Sequence, residues 1–294
     1  MSQLAHSEFG KLKTVFIKKA SAAFINEEHI NQHWESLNYL GKPDMTQALV
    51  EYDAFENILK EHGAEVLYFP EDDLVNMDSI YCRDAAIATS HGMIICNMGK
   101  DGRKKEPAAQ ARAYAEQGIP VLGTIIAPGT IEGGDVAWLD ATTLAVGNTY
   151  RTNEAGIQQL KELLHPIGVK VITADMPHYK GPSDVFHLMS VLSPVDNNLA
   201  VVYSPLMPIA FRNELIHRNF QLIEVPENEF ESMGCNVLAL APRDCLMVTG
   251  NSQTIRILKD NGCHVSVYCG DDISLKGGGG PTCLTRPLER VIAL

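Results

Sequence analysis

Residues 135–174 read DVAWLDATTLAVGNTYRTNEAGIQQLKELLHPIGVKVITA, and this stretch contains the repeating unit that decides the fold. Two short apolar segments come first, DVAWL and TLAVG, and both are typical of buried strands. An amphipathic segment over 153–165 follows, with Thr152 in position to cap a helix, and the apolar VKVITA comes directly after it. The stretch therefore predicts a strand, a strand, a helix and a strand, in that order.

The same unit recurs along the chain with a period of roughly 50 residues. Amphipathic helices are predicted over 46–62, 107–117, 208–219 and 252–262, and a short apolar strand follows each of them. The other pairs of strands read YCRDAAIAT with MIICNM, FHLMSVL with LAVVY, NVLALA with CLMVTG, and CLTRPL with RVIAL. The segment KTVFIK, near the N-terminus, is left to close a ring. Five divergent repeats favour a closed ring, because closure leaves no open sheet edge.

Composition limits the class of protein. The chain of 294 residues is 45% hydrophobic and 20% charged, and no linker-like stretch divides it, so we predict one α/β domain over residues 1–294. The net charge of -12 argues against nucleic acid as a partner and suits a cationic ligand. Seven cysteines without C-x-x-C spacing indicate neither a disulfide framework nor a zinc site. No signal sequence or membrane-length apolar run is present, so we expect a soluble, cytoplasmic protein.

The repeat also predicts which side chains meet. The residues at the start of the five strand pairs are Asp84, Asp135, His187, Asn236 and Cys283. Equivalent positions of a pseudo-fivefold ring converge on one end of its axis. An acid, an acid, a histidine, an amide and a cysteine are therefore expected to lie close together.

Considered singly, each of these residues has an ordinary structural explanation. A cysteine is usually core filler, a histidine is usually at the surface or a satisfied core residue, and the run KGGGGPTC (276–283) fits a loop with unusual dihedrals. Considered together, Cys283 and His187 favour covalent catalysis by a thiolate without a metal or cofactor. Glu132 and Asp135 flank a glycine pair, and the carboxylates exceed what a Cys–His pair needs. Surplus buried carboxylates suit a planar cation, so the residues point to a guanidinium substrate.

Four motifs in this order resemble the guanidine-modifying pentein superfamily. They are Cys-Arg-Asp at 82–84, Glu-Gly-Gly-Asp at 132–135, His-Leu at 187–188 and Gly-Gly-Gly-Gly-Pro-Thr-Cys at 277–283. The superfamily includes arginine deiminases, amidinotransferases and dimethylarginine dimethylaminohydrolases, and the resemblance runs from about residue 13 to residue 294. It implies a five-bladed α/β propeller, a cysteine nucleophile, a histidine acid/base and carboxylates on the guanidinium.

Within the superfamily, the chain is most similar to the dimethylarginine dimethylaminohydrolase branch. Met189 stands where deiminases carry an Asp. The resemblance implies that Arg151 and Arg103 bind the substrate carboxylate, and that Asp78 contacts the guanidino end. Two features resemble deiminases instead: Arg83, where the branch usually has Glu, and the LTRP that follows Cys283. Arginine and methylarginine therefore remain alternative substrates.

The resemblance implies hydrolysis through a thiouronium on Cys283, with Asp84 and Glu132 on the guanidinium and His187 as acid and then base. The product is a ureido compound, citrulline, plus an amine or ammonia, and Asp135 orients either His187 or the guanidinium. Amidino transfer is an alternative, and a non-catalytic propeller that binds a macromolecule is an alternative from another class. The oligomeric state stays open, with a homodimer among the alternatives. The segment 20–43 is long for a connection, so we expect a short packed helix or a lid there.

Overall fold

The computed structural model describes residues 6–291. Fifteen strands are present in this part of the chain, and they are β1 (Lys11–Ile17), β2 (Glu65–Tyr68), β3 (Ala86–Thr89), β4 (Gly92–Ile95), β5 (Val121–Thr124), β6 (Val136–Asp140), β7 (Thr143–Asn148), β8 (Lys170–Asp175), β9 (Leu192–Asp196), β10 (Leu199–Val202), β11 (Gln221–Glu224), β12 (Leu238–Ala241), β13 (Asp244–Val248), β14 (His264–Tyr268) and β15 (Thr285–Val291). The helices over the same residues are α1 (Ala20–Phe24), α2 (Glu27–His33), α3 (Met45–Glu61), α4 (Glu106–Glu116), α5 (Glu154–Leu164), α6 (Ile209–His217), α7 (Glu227–Phe230) and α8 (Ser252–Asp260).

The strands form five three-stranded sheets that share one topology. In the sheet β6–β7–β8, the first two strands are antiparallel, with Val136 opposite Val146, and β8 runs parallel to β7 after α5 crosses between them. The sheets β3–β4–β5, β9–β10–β11 and β12–β13–β14 repeat this arrangement. The predicted order of strand, strand, helix and strand is confirmed, and the protein is a five-bladed α/β propeller.

The fifth sheet joins the two ends of the chain. Strand β15 pairs with β1 in antiparallel fashion, and β1 pairs with β2 in parallel fashion after α3, as KTVFIK was expected to do. The predicted last pair, CLTRPL with RVIAL, was wrong: residues 285–291 are one continuous strand, because no glycine or asparagine stands between Leu288 and Arg290 to reverse the chain. Residues 292–294 of the predicted second strand lie outside the described residues.

Burial shows which strands surround the axis. Strands β3, β6 and β9 are almost wholly buried, whereas the third strands β2 and β5 are half exposed. First strands contact one another across sheets, β6 with β9, β9 with β12 and β15 with β3, and β12 also contacts β1, the middle strand of the fifth sheet. The backbone bond from Gly133 N–H to Asp84 C=O, 2.8 Å, links the β6–β7–β8 blade to the β3–β4–β5 blade. Residues that immediately precede these inner strands therefore lie at one end of the axis.

Two local features differ from or refine the expectations. The cap of α5 is Asn153, whose side chain accepts from Gly156 N–H, while the Thr152 hydroxyl accepts from Glu132 N–H instead. The segment 20–43 contains the short helices α1 and α2, and it packs on the glycine-rich loop through a bond from Leu40 N–H to Lys276 C=O. Its role as a lid stays a prediction.

Among the helices over residues 6–291, none has both the length and the apolar character that crossing a bilayer needs.

Candidate active site

The glycine-rich loop before β15 presents Cys283 at the axis. A Cβ at Gly279 would lie 3.1 Å from Cys283 Cβ and would collide with the Tyr81 ring, so this position needs glycine for close approach. Cys283 Sγ accepts a hydrogen bond from Asn236 Nδ2 at 3.4 Å and lies 3.8 Å from the hydroxyl of Thr282. The thiol is half-buried and is held by polar neighbours on one side.

His187, Glu132 and Asp84 form a compact group close to this loop. His187 Nε2 is 2.9 Å from Glu132 Oε2, and one polar atom from each of the three side chains lies within 4.8 Å of the others. A Cβ at Gly134 would collide with His187 Nδ1 and would lie 2.8 Å from Asp84 Oδ1, so this glycine also permits the approach. These donor types would suit a divalent metal ion as well as a guanidinium.

Asp84 has one engaged and one free carboxylate oxygen. Its Oδ2 accepts from Arg103 Nη1 at 2.5 Å. Its Oδ1 is buried and has no hydrogen-bond partner among residues 6–291. A buried carboxylate oxygen without a partner is costly, so this atom is a ready acceptor for a ligand N–H group.

Each carboxylate in the wall of the cavity is matched by a cationic side chain. Asp78 contacts Lys100 Nζ at 2.7 Å, and Glu132 Oε1 lies 3.5 Å from Arg151 Nη1. Glu132 Oε1 also accepts from the Lys100 backbone N–H at 2.9 Å. Each pairing offsets part of the desolvation cost of burying a charged group.

Arg103 is the most heavily engaged of these cations. Its Nε and Nη2 bind the two carboxylate oxygens of Glu106, each at 2.8 Å, and Nη2 also donates to the Tyr81 carbonyl. Together with the contact to Asp84, this leaves little of the guanidinium free for a substrate carboxylate. Arg151 is less occupied: besides Glu132, its Nη2 reaches the Asp184 carbonyl at 3.4 Å.

Asp135 lies directly behind His187. Its Oδ1 accepts from Leu188 N–H at 3.0 Å, and its Oδ2 accepts from the Thr149 hydroxyl at 2.7 Å. The carboxylate is completely buried and is not part of the cavity wall. Of the two roles left open by the sequence, this position favours orientation of His187.

The protonation states follow from burial and from these charges. Burial by itself lowers the pKa of His187, but Asp135, the hydrogen bond to Glu132 and the charge of Asp84 outweigh it and raise the pKa to about 9. Burial raises the pKa of Asp135 to about 6, although His187 and the threonine hydroxyls oppose the shift. Burial and the charge of Asp84 raise the pKa of Cys283, against the hydrogen bonds from Asn236 and Thr282. At neutral pH the histidine is therefore protonated and the cysteine is a thiol.

Seven of the eight predicted site residues line one cavity, and Asp135 lies behind it. The seven are Asp78, Asp84, Arg103, Glu132, Arg151, His187 and Cys283. A neighbouring cavity of about 150 Å³ shares His187 and Cys283 and is lined by Phe186, Met189 and Phe230. The two cavities meet at the candidate nucleophile.

Sequence reasoning assigned no role to three side chains that shape the site. Asn236 was placed by the repeat, but its hydrogen bond to Cys283 had no separate signal. Lys100 and Glu106 carry no motif, and they matter only because they pair with Asp78 and Arg103. Arg83, next to Asp84 in sequence, pairs with Glu8 at 2.8 Å instead.

Comparison with known proteins places the chain in a family. The family model described as N,N dimethylarginine dimethylhydrolase, eukaryotic, matches residues 19–290. The N(G),N(G)-dimethylarginine dimethylaminohydrolase of Streptomyces coelicolor is 31% identical over 252 residues, which cover 85% of this chain and 89% of the relative.

Solved structures support the fold. DDAH (dimethylarginine dimethylaminohydrolase) from Pseudomonas aeruginosa, a cysteine-to-serine mutant complexed with citrulline, has a TM-score of 0.75 at 22% identity. The match covers 95% of this chain and 99% of the Pseudomonas chain. An amidinotransferase from Microseira wollei in the saxitoxin biosynthetic pathway has a TM-score of 0.79 at 17% identity, with coverage of 98% and 97%. With the family match over most of its length, the chain belongs to the N,N-dimethylarginine dimethylhydrolase family, whose members are C–N hydrolases.

Proposed function

We propose that this C–N hydrolase acts on the guanidino group of an N-methylated arginine and gives citrulline and a methylamine. The observation that carries the proposal is the buried, unpartnered Oδ1 of Asp84, in the wall of the cavity that also holds Cys283 and His187. A guanidinium N–H group would satisfy this oxygen and add positive charge beside the thiol. The Streptomyces relative is named for this activity, which supports the choice of substrate class.

The reaction would run in two halves on Cys283. Binding of the guanidinium favours release of the Cys283 thiol proton to solvent, and the resulting thiolate sulfur attacks the guanidinium carbon to form a neutral tetrahedral adduct. His187, protonated in the resting site, gives its proton to the substituted nitrogen, and the C–N bond breaks to release the amine and leave a thiouronium. His187 then takes a proton from water as the water attacks the same carbon. The C–S bond then breaks as the C=O bond forms, the hydroxyl proton of the adduct passes to the departing sulfur, and citrulline and the free Cys283 thiol result.

The other site residues would hold the substrate in this geometry. Asp84 and Glu132 would bind the guanidinium, Asp78 would contact the same end, and Asp135 would orient His187. Arg151 would bind the substrate carboxylate. Arg103, already bound to Glu106 and Asp84, would act mainly by fixing the Asp84 carboxylate.

Arginine itself is the second candidate substrate. Arg83 stands where this branch usually has Glu, a feature that resembles arginine deiminases. The seven cysteines are free thiols, which supports a reducing compartment, the cytoplasm, as the place of action. We also propose that the chain forms a single catalytic domain, that residues 20–43 act as a lid, and that the protein is a homodimer.

A direct assay tests the function. The protein is incubated separately with arginine, monomethylarginine and asymmetric dimethylarginine, and ureido product, ammonia and methylamines are measured. We expect citrulline with release of a methylamine from the methylated substrates, and no product from the Cys283→Ser control. Turnover of arginine alone, with ammonia released, would overturn the methylarginine assignment and favour the deiminase alternative.

A further inference from the structure

A second cluster of charged side chains is buried where the first strands of the blades meet. Arg286 and Arg290 both lie on β15, whose pairing with β1 shifts register between them. Arg83 precedes β3, and all three arginines are at least 96% buried. Three guanidinium groups in one buried region need compensating negative charge.

Residues 6–291 supply little of that charge. Glu8 is the one carboxylate that bonds any of the three arginines among residues 6–291; its Oε1 accepts from Arg83 Nη2 at 2.8 Å and from Trp138 N–H at 3.3 Å. His6 meets the Trp138 ring edge-on, with ring centroids 5.7 Å apart, and burial lowers the pKa of His6 to about 3, so it is neutral. Burial and the neighbouring guanidinium groups lower the pKa of Arg290 to about 10, a sign of excess positive charge.

Several guanidinium N–H groups also lack acceptors. Arg83 Nε and Nη1, Arg286 Nε, and Arg290 Nε and Nη2 are buried without a hydrogen-bond partner in the described part of the chain. Water could satisfy these donors but could not neutralise the charge. The cluster therefore has both the donors and the net positive charge of an anion site.

The free atoms of Arg290 define the kind of anion. Its Nη1 is used by the carbonyls of Gly10 and Ala239, so Nε and Nη2 remain as a side-on pair. The same pair of atoms in Arg103 binds the two oxygens of Glu106, each at 2.8 Å, which shows the geometry that a carboxylate adopts in this protein. A planar oxyanion matches this pair better than a spherical ion does.

A route from solvent reaches the cluster. A cavity of about 540 Å³ is lined by residues that include His6 and Arg290. Glu65 and Glu289 also line it, but both are exposed, so their charges are screened by water and salt. A small anion can therefore approach Arg290 without passing through the active-site cavity.

We propose that Arg290 binds a small planar oxyanion of the carboxylate class from the 540 Å³ cavity, which shares no lining residue with the two cavities at Cys283, and that Arg286 and Arg83 add buried positive charge nearby. The anion would accept two hydrogen bonds from Nε and Nη2 of Arg290 and would balance the charge that Glu8 leaves uncompensated.

Formate is a suitable probe, titrated against the full-length protein at constant ionic strength with chloride, a spherical ion, as the balancing anion. We expect a saturable rise in Tm with formate and none with chloride. Arg290→Lys keeps the charge and loses the planar pair of donors, so its formate Kd should rise at least tenfold. Arg290→Met tests the charge as well, and Arg256→Met, a change at an exposed arginine of α8, is the matched control.

Two outcomes would overturn the proposal. Wild-type protein whose Tm does not respond to formate has no such site, whatever its activity. An Arg151→Met variant distinguishes the catalytic cavity: if this change abolishes the formate response, the anion binds at the substrate site. Retention of the response in Arg151→Met and its loss in Arg290→Lys is the result that we expect. Because the readout is Tm, failure of the proposed enzymatic function would leave this test unaffected.

Discussion

Asp84→Asn is the substitution that most directly tests the guanidinium site, because it keeps the shape of the side chain and removes its charge. Asp84 Oδ1 is the unpartnered oxygen that we assign to the substrate, and Oδ2 is bound to Arg103. Removal of one partner from a buried charged pair costs about 2–5 kcal/mol. At about 1.4 kcal/mol per factor of ten, kcat/KM for a methylated arginine should fall roughly 30- to 3,000-fold.

The effect on stability should be smaller than the effect on rate. Arg103 keeps both bonds to Glu106, and the amide oxygen that replaces the carboxylate in Asp84→Asn can still accept from Arg103. We therefore expect a loss of about 1–2 kcal/mol, the scale of one weakened hydrogen bond to a charged group. Arg103 pairs with Asp84, whereas Arg83, its neighbour in sequence, pairs with Glu8.

The assay pairs initial rates over a range of substrate concentration with a thermal melt of the same sample. Asp101→Asn is the matched control, since Asp101 is exposed and pairs with Lys104 at the surface; both its rate and its Tm should stay unchanged. A destabilised Asp84→Asn protein with kcat/KM within threefold of wild type would refute the assignment and would move the guanidinium onto Glu132.

Four further predictions concern the reacting groups. Cys283→Ser should abolish turnover with little change in Tm, because an alkoxide is much harder to form than a thiolate; activity within tenfold of wild type would contradict the nucleophile assignment. His187→Ala should lower the rate by about 10²–10⁴ and should trap an adduct on Cys283 that intact mass detects, whereas full activity would remove His187 from the mechanism. Arg151→Ala should raise KM for arginine-like substrates by the factor that corresponds to about 2–5 kcal/mol of binding free energy, and should raise KM much less for guanidines that lack a carboxylate. An equal rise in KM for both substrate types would show that Arg151 only shapes the site. The pKa of His187 rises from 6.5 to about 9 on folding, so the protonated histidine stabilises the fold fully below pH 6.5. About 3 kcal/mol of the free energy of unfolding should be lost as pH rises through 9, and melts of His187→Ala should not show this loss.

Much of the fold could be predicted because each repeat shows the same local pattern of apolar and polar residues. The apolar alternation around α5 and its neighbours fixes the unit, and five such units with one strand left over require the ends to join. The same phase brings Asp84, His187 and Cys283 together. The last strand was misjudged because the pairing of β15 with β1 depends on a partner about 270 residues away, which local pattern does not reveal.

Contacts made by single long side chains could not be predicted in this way. Arg83 and Arg103 are both near Asp84 in the fold, and only the path of the loop that carries Arg103 decides which of them binds it. Arg103 is fixed by Glu106 three residues later, at the start of α4, and Arg83 turns to Glu8, 75 residues earlier in the chain. Glu8 precedes the first strand, and Glu106 is in place because it lies three residues after Arg103, so the 50-residue period carries no information about either contact.

The resting charges of the site explain how a thiol could react only when the right substrate is present. Cys283 faces the negative charge of Asp84, and burial adds to it, so the pKa of the thiol is raised and the free protein holds a weak nucleophile. A guanidinium bound at Asp84 Oδ1 would cancel that charge at the place where the sulfur must ionise. Protonated His187 is already in place beside Glu132 to serve the leaving amine. Ionisation of the nucleophile would then be coupled to binding of a planar cation, and neutral electrophiles of similar size would find a cysteine that is still protonated.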